Sequence, residues 1–103
     1  MRCIYTADVP YIHFEWDESK SRINQKKHGI SFEEAQTVFF DPNARLIHDP
    51  DHSEHEDRFI IFGASRRLRL LVVCHSYLPE EDLIRIISAR KATSKESAYF
   101  GGI

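Results

Sequence analysis

The stretch RFIIFGASRRLRLLVVCHSYLPEEDLIRIISARK, residues 58–91, decides the fold. Three runs rich in Ile, Val, Leu, Phe and Tyr, at Arg58–Ala64, Leu68–Tyr77 and Leu83–Lys91, are parted by Ser65-Arg66-Arg67 and by Leu78-Pro-Glu-Glu-Asp82. They read as β-strands joined by turns. Neither connection has the dozen or so residues that a crossover between parallel strands requires, so consecutive strands are antiparallel. Arg45–His48 adds a fourth strand ahead of them, and the four predict an antiparallel meander.

Upstream of Pro42 the pattern is helical. Asp17 offers a carboxylate N-cap to a helix running to His28, and Gly29 ends it. Its basic residues Lys20, Arg22, Lys26 and Lys27 stay partly exposed, while Trp16 anchors its start. Ser31-Phe-Glu-Glu34 is a capping-box pattern that opens a second helix. Phe32, Ala35, Val38 and Phe39 form its buried stripe, and Asp41-Pro42 stops it. His13–Trp16 reads as a short edge strand, and Thr93-Ser-Lys-Glu96 as the capping box of a short C-terminal helix. The fold class is therefore α+β, with two leading helices, a four-stranded antiparallel sheet and one closing helix.

At 103 residues, with 42% hydrophobic and 29% charged, the chain suits one domain over residues 1–103. Residues 1–11 are a loosely attached extension in this reading. No apolar run reaches the roughly 18 to 20 residues of a membrane span and no basic-then-apolar leader is present, which points to the cytoplasm. Cys3 and Cys74 read as reduced thiols. The overall charge of −2 divides into −6 for residues 1–57 and +4 for residues 58–103. The basic second half suits phosphate contacts and the acidic first half a basic partner.

The strands carry the candidate polar surface. In the last strand Arg85 alternates away from Ile84 and Ile86, whereas Arg90 shares their parity unless a bulge or strand end near Ser88 changes it. Arg69, His75 and Tyr77 share one face of the preceding strand. Each also has an ordinary reading as a solvated or salt-bridged strand residue. His48-Asp-Pro-Asp-His-Ser-Glu-His-Glu-Asp57 invites a metal reading through His48, His52 and His55. Pro50 breaks the helix that such spacing needs, so a solvated loop is expected and no metal site is assigned.

Taken together, Phe14-Glu-Trp-Asp-Glu-Ser-Lys20, Asn24-Gln-Lys-Lys-His-Gly-Ile-Ser-Phe-Glu-Glu-Ala35, Val38-Phe-Phe-Asp-Pro42, His52-Ser-Glu-His-Glu-Asp-Arg58, Ile61-Phe-Gly-Ala-Ser65, Ile84-Arg-Ile-Ile-Ser-Ala-Arg-Lys-Ala-Thr93 and Glu96 resemble the BrnT family of bacterial ribonuclease toxins. The resemblance spans roughly residues 13 to 99 in order and implies a RelE-like fold. Ser97 stands where the family commonly has a basic residue, and residues 1–12 extend beyond its usual start.

What the resemblance implies is a metal-independent endoribonuclease without cofactor that inhibits translation. It also implies a cognate BrnA-like antitoxin whose DNA-binding domain brings the pair to their operator. Arg58 and Arg90 are the expected phosphate-stabilising residues, because a guanidinium stays charged and can grip two oxygens at once. His28 and Lys27 are the expected proton-transfer groups. Arg85, His75 and Arg69 are expected RNA contacts. The alternative is a non-catalytic RNA- or protein-binding module on the same fold, and a third reading is a metal-dependent hydrolase using the His/Asp loop.

Overall fold

A computed structural model describes residues 2–6, 12–48 and 58–100, with only the backbone described at 2–6 and at Phe100. The elements are β1 (Arg2–Thr6), β2 (His13–Asp17), α1 (Glu18–His28), α2 (Phe32–Thr37), a 3-10 turn at Val38–Phe40, β3 (Arg45–His48), β4 (Arg58–Ala64), β5 (Leu70–Leu78), β6 (Leu83–Lys91) and α3 (Ser94–Phe100). The helix caps follow the sequence. Asp17 accepts from the Ser19 and Lys20 amides, and Gly29 closes α1 in the left-handed region at φ 76°.

Strands β3 to β6 form the expected antiparallel meander. The four-stranded, all-antiparallel, RelE-like expectation nevertheless needs correction. β2 lies parallel to β6, so β2 to β6 make a five-stranded mixed sheet, and the β1 backbone extends it to the order β1-β2-β6-β5-β4-β3. The His13–Trp16 segment is thus an interior strand rather than an edge. Short loops rule out parallel pairing only between consecutive strands, whereas β2 and β6 come from opposite ends of the chain. The expectation for residues 1–11 falls outside the described residues except for the β1 backbone.

One sheet face carries the core. Trp16, Phe14, Leu71, Val73, Ile84 and Ile86 meet Ile30, Phe32, Ala35 and Val38 from the helical layer. Trp16 and Phe32 pack edge to face at 6.3 Å. The 3-10 turn presses onto β4 closely enough that a Cβ on Gly63 would stand 2.8 Å from Val38 Cγ1. Such contact leaves room only for glycine.

The capping-box reading of Ser31 is half right. Ser31 Oγ accepts from the Glu34 amide at 3.1 Å, but the Glu34 carboxylate is buried and turns away, accepting from Ser65 Oγ at 2.7 Å and from Arg69 Nε at 2.9 Å. A buried carboxylate gains more from a guanidinium than from one helix-end amide. The pair ties the β4–β5 hairpin to α2.

Asn24 fastens α1 to β6. β2 accompanies β6 only through Arg85, so among the described residues the backbone of Ala89 has no strand neighbour on that side. The Asn24 amide takes that place. Nδ2 donates to the carbonyls of Ala89 and Ile30, both at 2.8 Å, and Oδ1 accepts from the Ala89 amide at 3.2 Å. Among the described residues no helix is long and apolar enough to cross a membrane. Asn24→Ala strands these buried groups and is expected to cost about 2 to 3 kcal/mol. Urea unfolding measures it, and an unchanged midpoint would contradict the anchoring role.

Candidate active site

The register of β6 places the site. Cys74 pairs with Ser88, but His75 pairs with Ile86, which leaves Ile87 as an extra residue in β6. Such a bulge reverses the facing of everything beyond it. Before it, Arg85 stands opposite the core-facing Ile84 and Ile86. After it, Ser88 and Arg90 join the Arg85 face while Ala89 enters the core. Simple alternation put Arg90 on the core side, and the bulge removes that conflict.

Arg58 sits on the same face, cross-strand from Ser76, which in turn pairs with Arg85. Arg58 and Arg90 are two strands and four residues apart, roughly 16 Å between Cα atoms from ordinary strand spacings, within reach of two arginine arms. Both line a cleft of about 330 Å³ with His28, Ile60, Cys74 and Ser88 among its other walls. His28 arrives because it lies one helical turn beyond Asn24. The site thus combines two cations, an imidazole and small hydroxyl and thiol side chains over an apolar floor.

The remaining sequence candidates are placed elsewhere. Lys27 is exposed on α1 and does not line the cleft. Arg85 shares the face but donates from Nε to Glu15 Oε2 at 2.7 Å, and Glu15 is buried. Arg69 lies in the β4–β5 connection, where Glu34 raises its pKa and is itself held below the usual carboxylate range by Arg69. His75 is buried on the opposite, core-facing side, at 4.7 Å from Phe39 edge to face and 5.9 Å from Phe59 in a stack. Its Nδ1 lies 3.3 Å from the Val73 carbonyl. Of the three residues expected on one face, His75 and Tyr77 do share it, lining one apolar pocket with Phe39 and Phe59, whereas Arg69 precedes β5, which begins at Leu70.

Two residues that shape the surroundings of the cleft are not distinguished by sequence. Asn24 looks like an ordinary helix-surface amide in a polar helix. Glu96 shows its cap, but not that the same carboxylate binds Arg90 through Nη1 at 2.7 Å and Nη2 at 2.9 Å. Only the path of the chain from β6 into α3 brings that pair together. Of the His/Asp loop only His48 is described, edge to face with Phe59 at 5.3 Å, and residues 49–57 lie outside the described residues. Among the described residues no group of three or more His, Cys, Asp or Glu is placed to hold a metal ion.

The family model for the ribonuclease toxin BrnT of type II toxin–antitoxin systems matches residues 16–96. The chain belongs to the BrnT family. The matched span carries His28, Arg58, Arg90 and Glu96, and BrnT membership implies an RNA substrate and an antitoxin partner. The fold is similar to that in the 1.1 Å crystal structure of the Brucella abortus ribonuclease toxin BrnT, with a TM-score of 0.59 and 22% identity over 77% of this chain and 94% of that one. A comparison with curated proteins gives no match.

Burial pushes the His75 pKa down from 6.5 to about 4. Between those values the unfolded chain binds a proton that the folded protein refuses, so stability falls as pH drops through this window, by about 3 kcal/mol in all. Urea midpoints measured from pH 7 to pH 4 should show that slope, and His75→Phe should flatten it. Equal slopes in the two proteins would refute this account of His75.

Proposed function

We propose that this chain is a metal-independent endoribonuclease that cuts RNA by attack of a ribose 2′-OH on the adjacent phosphate. The observation that carries the reading is the convergence of Arg58, Arg90 and His28 on one cleft of the sheet. In the reaction the O2′–P bond forms and the P–O5′ bond breaks. A base removes the 2′-OH proton and an acid protonates the departing 5′-oxygen. The products are a 2′,3′-cyclic phosphate and a 5′-OH end. Arg58 and Arg90 suit the middle of this sequence, when negative charge accumulates on the phosphorane oxygens. His28 can move a proton, since a ring nitrogen of imidazole can accept one and the other can donate one.

A nuclease that holds Mg²⁺ does so with carboxylates; the described residues lining this cleft are cationic, imidazole, hydroxyl, thiol and apolar. Lys27 adjoins His28 and Arg85 adjoins the cleft's face, so both enter the proposal as electrostatic support. Arg69 and His75, held by Glu34 and by phenyl rings, serve the scaffold. Cleavage of mRNA in the cytoplasm would inhibit translation. The acidic residues of the first half suit a BrnA-like antitoxin that carries the DNA-binding function and links the complex to its operator.

A second reading has one observation in its favour. Of the proton-transfer candidates only His28 lines the cleft, whereas the chemistry calls for both a base and an acid. A binding module on the same scaffold would hold RNA there without cutting it.

The test is incubation of the purified protein with a single-stranded RNA in excess EDTA, followed by analysis of the fragment ends. Cyclic-phosphate ends are expected from the parent protein, with Arg58→Ala and Arg90→Ala each slower by about 10²-fold or more. His28→Ala should lower kcat by about 10²-fold or more. Bound but intact RNA would transfer the assignment to the binding module. Cleavage that EDTA abolishes would overturn metal independence.

A further inference from the structure

Arg90 is not simply a cation at the cleft wall, because most of its hydrogen-bonding capacity is already committed. Nη1 and Nη2 donate to the two Glu96 carboxylate oxygens, and Nη1 also donates to the Lys91 carbonyl at 3.3 Å. These bonds use three of the five N–H groups of a guanidinium. The other two, on Nε and Nη2, lie side by side along one edge of the planar group. Covalent geometry makes that edge a second fork whose spacing matches a pair of phosphate oxygens. Since Arg90 lines the cleft, this edge is what it has left to offer a ligand there.

Glu96 is itself held. Its Oε1 accepts from the Thr93 amide at 2.8 Å, and its own amide donates to Thr93 Oγ1 at 3.1 Å. One carboxylate therefore closes the capping box of α3 and grips Arg90. The Arg90 bond and the Thr93 amide hold the Glu96 pKa near 2, so it stays ionised throughout the working pH range. Most of the entropy of ordering the long Arg90 side chain is thereby removed before RNA arrives.

We infer that Glu96 is a positioning residue, which clamps the end of the Arg90 guanidinium and turns its Nε/Nη2 edge to receive the scissile phosphate. This rests on the reading of the cleft as an RNA-cleaving site. The clamp also tempers charge. A guanidinium paired with a carboxylate attracts distant phosphates less, so the gain lies in geometry at the reacting phosphate rather than in RNA capture.

The experiment compares the wild type, Glu96→Gln, Arg90→Ala and the double variant on a single-stranded RNA oligonucleotide, with folding confirmed by circular dichroism. Glutamine keeps a capping-box partner for Thr93 but weakens the clamp. The expected result is a kcat about tenfold lower in Glu96→Gln with KM within about twofold, and no further loss when Arg90 is already alanine. Full kcat in Glu96→Gln, or an equal loss in the Arg90→Ala background, would overturn the inference.

A second measurement covers the case in which the Arg90→Ala rate is too low to compare, or the wild type binds RNA without cutting it. It follows the Arg90 Nε–H resonance by NMR while a 2′-O-methyl oligonucleotide, which cannot be cut, is added. A perturbed signal in the wild type that is lost in Glu96→Gln supports the clamp even if the ribonuclease reading fails. An Arg90 signal indifferent to the oligonucleotide sinks the clamp while leaving the cleavage assay to judge the enzyme.

Discussion

The arrangement of the whole molecule depends on the extra residue in β6. Without Ile87 as a bulge, strict alternation would drive Arg90 toward the buried face, where a guanidinium would meet Leu71, Val73 and Ala35 rather than solvent. Burying an unpaired charge there costs several kcal/mol. With the bulge, the strand satisfies both demands. Ile84, Ile86 and Ala89 complete the core, and Arg85, Ser88 and Arg90 stand on the other side. The bulge sits next to the cleft, as such irregularities often do where a side chain must be re-aimed.

Three arginines illustrate how carboxylates divide labour in a basic half-chain. Glu34 secures Arg69 within a network that also includes Ser65 and holds a hairpin against a helix. Glu15 secures Arg85 across two parallel strands. Glu96 secures Arg90 more openly, with the arginine side chain still 42% exposed. The first pairing is architectural, and the last leaves an edge of the guanidinium available. Chemical type is the same in each case, so only the surroundings separate scaffold from site.

The sheet keeps its two faces chemically distinct. On one, His75 is enclosed with Phe39 and Phe59 in an apolar layer and kept neutral by burial. On the other, two arginines and His28 border the cleft. His75 and His28 are equivalent in composition, yet one is a core residue and the other a candidate for proton transfer. The Asn24 amide makes that difference possible by docking α1 where its last residue reaches the cleft.

Local chemistry made much of this legible from sequence alone. The Asp17 cap and Gly29 end of α1, the bounds of β3, β4 and β6, the meander and the capping box at Thr93 all follow from interactions within a few residues. Arg58 and Arg90 emerged as a pair through family resemblance, and the cleft unites them with His28. What only the tertiary structure decided are contacts between distant parts of the chain: β2 beside β6, Glu34 with Arg69, Asn24 with Ala89, and the face on which Arg90 stands. Periodicity carries no information about which strand lies alongside another, and a one-residue bulge inverts every facing assignment downstream of it. The energy that chooses these pairings belongs to the assembled core and its buried polar groups, and no short window of sequence contains it.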